Sequence, residues 1–290
     1  MAEISRRRML RQSTALLSAA ASLSLSDVFA SSSHTYQIGA CDWSIGMHSD
    51  VEAMAMAQKI GLDGVQVSLG KVENHMHLRQ PEVQAAYRKA AQRHGVQVSS
   101  LAIGELNQVP YKSAPETEAW VSDSIDVAHA LQVPVVLLAF FGNGDLKGDK
   151  KGTQEVISRL KKVAPKAEEK GITLGIESWL SADEHLEIIE AVGSPNVRVY
   201  YDVANSNKMG YDIYEEMQRL GTRYICEVHA KENDYLLGEG RVDFPRVRNI
   251  LQDVGYTGWI IIEGATPQGM EILPAYRHNL AFIQKTFNQV

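Results

Sequence analysis

Four short stretches of this 290-residue chain end in side chains able to hold a metal ion or move a proton: Glu177 in "GIES", Asp202 in "YYDVAN", His229 in "EVHAKE" and Glu263 in "IIIEG". Each closes an apolar run of strand length. Taken singly they mean little, because an acid at a strand end is more often a turn former or a helix N-cap. A lone strand histidine is more often a hydrogen-bonded core residue. Recurrence on successive runs changes the reading. Neighbouring strands lie about 4.8 Å apart, so three carboxylates delivered to adjacent ends repel one another unless a cation sits among them. Lys231 alone is too little compensation, whereas a divalent ion resolves the repulsion. Three carboxylates and one imidazole suit a hard-to-borderline ion, Mn²⁺ or Mg²⁺ first, with Co²⁺, Fe²⁺ or Zn²⁺ as further options.

The strand around His229 shows how such groups are aimed. In "ICEVHAK", strict alternation puts Glu227, His229 and Lys231 on one face and Cys226, Val228 and Ala230 on the other. The apolar set is expected to face a helix layer and the charged set the site.

The elements that must position these groups recur along the chain. A helix ends at glycine, a short β-branched run follows, and a polar residue closes it, as in "KIGLDGVQVS", "RHGVQVSSLAIG", "EKGITLGIES" and "VGYTGWIIIE". Eight such runs fall near 37–44, 64–68, 96–104, 134–141, 173–178, 197–205, 224–232 and 258–265, with helical patterns between them. Strand–helix alternation means a parallel sheet with right-handed crossovers, and eight units of this size predict a closed (β/α)8 TIM barrel as a single α/β domain. A doubly wound open sheet would carry a glycine-rich phosphate loop after its first strand. The stretch "CDWSIGMHSD" has none.

With "IES", "YYDVAN", "HAKE", "LGEGRVDFPRV" and "GYTGWIIIEG" in place, the chain resembles the sugar phosphate isomerase/epimerase family of xylose isomerase-like barrels, which includes ketose 3-epimerases, hydroxypyruvate isomerases and inosose dehydratases. The resemblance implies that Glu177, Asp202, His229 and Glu263 hold the metal and that Glu177 and Glu263 double as acid and base. It also implies a small carbohydrate substrate and proton abstraction next to a carbonyl through an enediolate. The outcome is epimerisation or isomerisation. β-Elimination, as by a lyase acting on 3-keto-glycosides or inososes, is the alternative, and a non-catalytic sugar-binding barrel is the alternative of another class. Many ketose epimerases carry a histidine three residues after the Asp202 equivalent. Here it is Asn205, which can bind a hydroxyl but cannot titrate. The "HAKE" pattern is similar to that of dehydratase-like members. It implies that Lys231 holds an oxyanion or protonates a leaving oxygen, against the plainer reading of a salt bridge to Glu227 or Glu263.

Further candidates sit in the loops after the strands. Asn107 could orient a hydroxyl and Trp179 could stack on a sugar face or simply pack the mouth. His75 and His77 read as a polar loop pair or as extra ligands, and Arg241 as a contact to an anionic or hydroxyl-rich substrate or a solvated surface residue. Asp243 is a plausible N-cap. Residues 139–152 read as a rim or lid.

Residues 1–30 are a different object. A twin arginine in "SRRRMLRQ", a modest apolar run and small residues ending at Ala30 resemble a twin-arginine export signal, which predicts a periplasmic barrel domain over 31–290. A net charge of −6 disfavours a nucleic-acid partner. No later window is apolar and long enough to cross a bilayer, and an oligomer stays open. The two cysteines, Cys41 and Cys226, fall on strands that are not neighbours, so no disulfide is expected.

Overall fold

The structure, a computed structural model, describes residues 35–288. The expected export signal and its cleavage after Ala30 lie outside the described residues. Eight strands, β1 (Ile38–Cys41), β2 (Gly64–Ser68), β3 (Gln97–Ile103), β4 (Val135–Phe140), β5 (Thr173–Ser178), β6 (Val197–Asp202), β7 (Ile225–Glu232) and β8 (Ile260–Gly264), pair in parallel and in chain order, and β8 returns to β1. This is the (β/α)8 barrel expected from the eight runs. Among the described residues no helix is long and apolar enough to cross a membrane.

Alternation along each strand sorts its side chains into two cores. Residues such as Val65, Val67, Ile176, Val199, Val228 and Ile262 face outward and pack beneath the helices in one large core. Ala102, Val135, Leu137, Ala139 and Tyr200 form a smaller cluster within the barrel. Glycine stops the preceding helices where the repeat predicted it. Gly61, Gly95 and Gly171 hold φ values of 101°, 64° and 67° at the C-caps, a conformation that glycine adopts without a Cβ clash. The Glu116–Leu131 helix ends instead on Gln132 at φ 60°, so its boundary carries no glycine signal.

Strand ends depart from expectation in an informative way. The run at 197–205 divides: β6 stops at Asp202, and Val203–Lys208 is a short helix. The first strand also ends early, at Cys41, because the chain turns from Asp42 to Met47. Asp42 is buried and accepts bonds from the Ser68 N–H (2.8 Å), the Ser68 hydroxyl (2.7 Å) and the Ser49 N–H (3.2 Å), which ties this turn to the end of β2. Asp243 accepts from the Arg246 N–H at 3.0 Å and caps the Phe244–Asp253 helix, as expected.

The two-face reading of β7 needs one correction. The register between β6 and β7 shifts, pairing Val199 with Ile225 and Tyr200 with Glu227, so one residue is extra on β7. Cys226 is that residue. It packs with the inner cluster beside Tyr200, not with Val228 and Ala230 under the helices. Both cysteines are free thiols on strands that β8 separates.

Candidate active site

The four strand-end groups meet at one point. One ligand atom from each of Glu177, Asp202, His229 and Glu263 lies within 4.8 Å of all the others. His229 is the hub. Its Nδ1 is 3.0 Å from Glu177 Oε1, 3.4 Å from Glu263 Oε2 and 3.9 Å from Asp202 Oδ2. Register explains the meeting, because Asp202 pairs with His229 across β6 and β7, and Lys231 pairs with Glu263 across β7 and β8.

Asp202 fills both roles that a strand-end acid can take. Its Oδ1 caps the Val203–Lys208 helix, accepting the Ala204 and Asn205 N–H groups at 2.8 Å each. Its Oδ2 is buried and points into the cluster, where the Lys231 ammonium at 3.4 Å is its nearest counter-charge. Buried carboxylate oxygens crowded this closely are costly unless positive charge meets them, and one ammonium serves only part of the set. Asp202 Oδ2, two more carboxylates and an imidazole Nδ1 fit a divalent cation.

His229 Nε2 lies 2.9 Å from Gln66 Oε1. The amide oxygen can only accept, so Nε2 carries a proton; without a cation Nδ1 is protonated as well and donates to Glu177 Oε1 at 3.0 Å, and a bound cation would take the Nδ1 lone pair in that proton's place. Gln66 is itself fixed, because its amide nitrogen donates to Tyr200 Oη (2.9 Å) and Ser100 Oγ (3.1 Å). With no cation the charges are balanced from within. Burial alone would lower His229, but Glu177, Glu263 and Asp202 win and raise it to about 9. Burial pushes Asp202 up to about 7 against the pull of Lys231. Burial also works against ionised Glu263, yet Lys231 and His229 hold it down at about 2.

Lys231 makes the salt bridge weighed for it, to Glu263 (2.8 Å) and not to Glu227, and it also lies 3.4 Å from Asp202. Glu227 sits deeper, buried in the barrel, and burial raises it to about 7.

A cavity of about 480 Å³ opens over the cluster, lined by Glu177, Glu263 and Lys231 together with Asn107, Trp179 and Asn205. Trp179 meets Phe141 edge-on at 5.3 Å, and Asn107 accepts the Phe141 N–H at 2.8 Å, so the rim after β4 is fixed to the wall after β3. Two expected contacts are not here. His75 is exposed and lines no part of this cavity, because the loop after β2 turns Met76 and Leu78 into the core and leaves His75 outside. Arg241 lines a neighbouring cavity instead.

Sequence reasoning missed several groups. Trp43 donates from Nε1 to Glu263 Oε1 at 3.1 Å. Trp43, His48, Lys208 and Asn233 also line the cavity. Gln66 left a readable trace, a polar residue at the centre of the apolar run "GVQVS".

Comparison with known proteins places the chain among related barrels. The family model described as "Xylose isomerase-like TIM barrel" matches residues 54–286. The chain is 25% identical over 199 residues to the 2-epi-5-epi-valiolone 7-phosphate 2-epimerase of Actinoplanes sp., covering 68% of this chain and 73% of that one. It is 24% identical over 233 residues to the L-ribulose-5-phosphate 3-epimerase UlaE of Escherichia coli, covering 73% and 81%. A crystal structure of D-psicose 3-epimerase in the presence of D-fructose superposes with a TM-score of 0.73 at 18% identity, over 87% of this chain and all of that one.

Proposed function

The chain belongs to the xylose isomerase-like TIM barrel family, and from that premise we propose that it is a divalent-metal-dependent sugar isomerase or epimerase. It removes a proton next to a carbonyl and returns one on the other face or to the neighbouring carbon. The observation that carries this reading is the convergence of Glu177, Asp202, His229 and Glu263 within 4.8 Å, beside a cavity of sugar-binding size. The epimerase names of the two sequence relatives support it.

Those four side chains would hold the ion, and their donor set suits Mn²⁺ or Mg²⁺. A cation bound there supplies the positive charge that polarises a carbonyl and acidifies its neighbouring C–H. The chain supplies the rest. Trp43 and Lys231 bond both oxygens of Glu263 and hold the carboxylate ionised and oriented at the cavity. Glu177 reaches the same cavity from β5; Glu263 keeps the proton it removes, and Glu177 delivers its own proton to the opposite face. Asn107 and Asn205 offer amides to hydroxyls, and Trp179 offers a ring face.

A lyase is the second reading, and the ammonium of Lys231 at the cavity wall favours it, because a leaving oxygen needs a proton donor. Solvent exchange separates these outcomes. With Mn²⁺ or Mg²⁺ present in D₂O, NMR should show deuterium entering next to the carbonyl of one or more keto-sugars, and Glu263→Gln should abolish it. Products lacking an oxygen substituent would select the lyase. Metal binding without exchange across a broad panel would leave a sugar-binding barrel and end the enzyme reading.

Export belongs to the same proposal and rests on the arginines at 6–8. Replacing Arg6 and Arg7 with lysine should hold the protein in the cytoplasm at full length. Unchanged processing would remove the twin-arginine route.

A further inference from the structure

A second cavity, of about 450 Å³, adjoins the first. Lys208 and Asn233 line both, so these two side chains form a shared wall and the two spaces are neighbours. The second space lies between the end of the Val203–Lys208 helix and the loop after β7, with Asn207, Tyr235 and Arg241 on its other sides. That loop is pre-built. Buried Glu232 accepts the backbone N–H groups of Arg241 (3.2 Å) and Val242 (2.9 Å), which folds the segment back on itself.

The lining identifies the kind of ligand. It is mostly polar, which disfavours an apolar group. Its two cations, Lys208 and Arg241, are matched by two acids, Glu232 and Asp234, so no net positive field draws a phosphate or carboxylate. What remains are amides from Asn207 and Asn233 and the half-exposed ring of Tyr235. Amides beside an open aromatic face suit the hydroxyls and C–H face of an uncharged sugar.

We propose that the second cavity is a glycosyl subsite and that the substrate is a keto-sugar carrying a second, uncharged sugar unit. The keto ring sits at the carboxylate–histidine cluster and the second ring beyond the Lys208–Asn233 wall. The substrate class rests on the isomerase reading, but occupancy of the subsite does not require turnover, so the test measures binding. Calorimetry on the purified full chain with Mg²⁺ would compare a ketose, the same ketose glycosylated by a neutral hexose, and its phosphate ester. The glycosylated ligand should bind about tenfold or more tightly than the ketose. The pair Tyr235→Ala and Arg241→Ala should erase most of that preference, and saturation-transfer NMR should lose contacts to the second ring alone. Equal affinity for ketose and glycoside, tightest binding by the phosphate ester, or equal weakening of both sugars by the variants would overturn the subsite. Loss of the isomerase reading would show separately, as tight glycoside binding without solvent exchange.

Discussion

His229 Nε2 faces Gln66 Oε1 at 2.9 Å, and that one contact decides which nitrogen of the imidazole is left for the carboxylate cluster. Gln66 is no ligand, yet it fixes the tautomer. Such supporting hydrogen bonds change metal affinity by about 10–100-fold in proteins generally. Gln66→Leu should therefore weaken Mn²⁺ binding by at least about tenfold in calorimetry, with the fold intact by circular dichroism. In the Mg²⁺-loaded variant, ¹⁵N NMR of His229 should lose the fixed Nε2 proton seen in the loaded parent. Unchanged affinity would mean that the ring is held by packing against Tyr200, whose centroid lies 4.4 Å away.

Asp202 allows its two oxygens to be tested apart. Asp202→Asn keeps an oxygen for the Ala204 and Asn205 N–H groups but removes the charge aimed at the cluster. Asp202→Ala removes both. Metal binding should collapse in both variants. The alanine variant alone should also lose the cap, worth about 1 kcal/mol, read as a lower melting temperature than that of the asparagine variant without metal. Equal melting temperatures would show that Oδ1 contributes nothing as a cap.

How far these groups were legible in the sequence follows from their geometry. Glu177, Asp202, His229 and Glu263 stood out because a parallel barrel brings successive strand ends to one rim, so chain order alone predicts their neighbours. Trp43 and His48 did not, because they lie in a turn whose path depends on Asp42 reaching Ser68 and Ser49. The misplacement of Cys226 came from a register shift that no local pattern announces. His75 and Arg241 were judged by distance along the chain from a strand end, whereas loop conformation decides where such side chains go.

Lys231 stands beside the cluster as an internal counter-charge, 2.8 Å from Glu263 and 3.4 Å from Asp202. Removing it from the metal-free protein leaves buried carboxylates uncompensated, which costs on the order of 3 kcal/mol where one partner of a buried pair is lost. Lys231→Met should lower the melting temperature in EDTA. Added Mn²⁺ should restore much of the loss, since a bound cation stabilises the fold by mass action. His229→Ala should abolish that rescue. A Lys231→Met protein as stable as the parent in EDTA would show that the cluster does not need the ammonium.

The fully buried His185 gives the fold a pH dependence away from the cluster. Its Nδ1 donates to the Ser181 carbonyl (3.0 Å), so its Nε2 accepts from the Ser178 hydroxyl (2.9 Å), next in sequence to Glu177. Burial lowers its pKa from 6.5 to about 4. As pH falls, the unfolded chain takes up this proton first, so the stabilisation is whole above about 6.5 and is lost as pH drops through about 4. The shift corresponds to roughly 3 kcal/mol. His185→Gln, which cannot titrate, should be less stable than the parent at pH 7, and the denaturant midpoints of the two proteins should converge as pH falls from 7 to 4. A slope unchanged in the variant would assign the acid sensitivity to other groups, with Asp202 and Glu227 excluded by sign. Both are raised to about 7, so each contributes stability that is present at low pH and lost as pH rises.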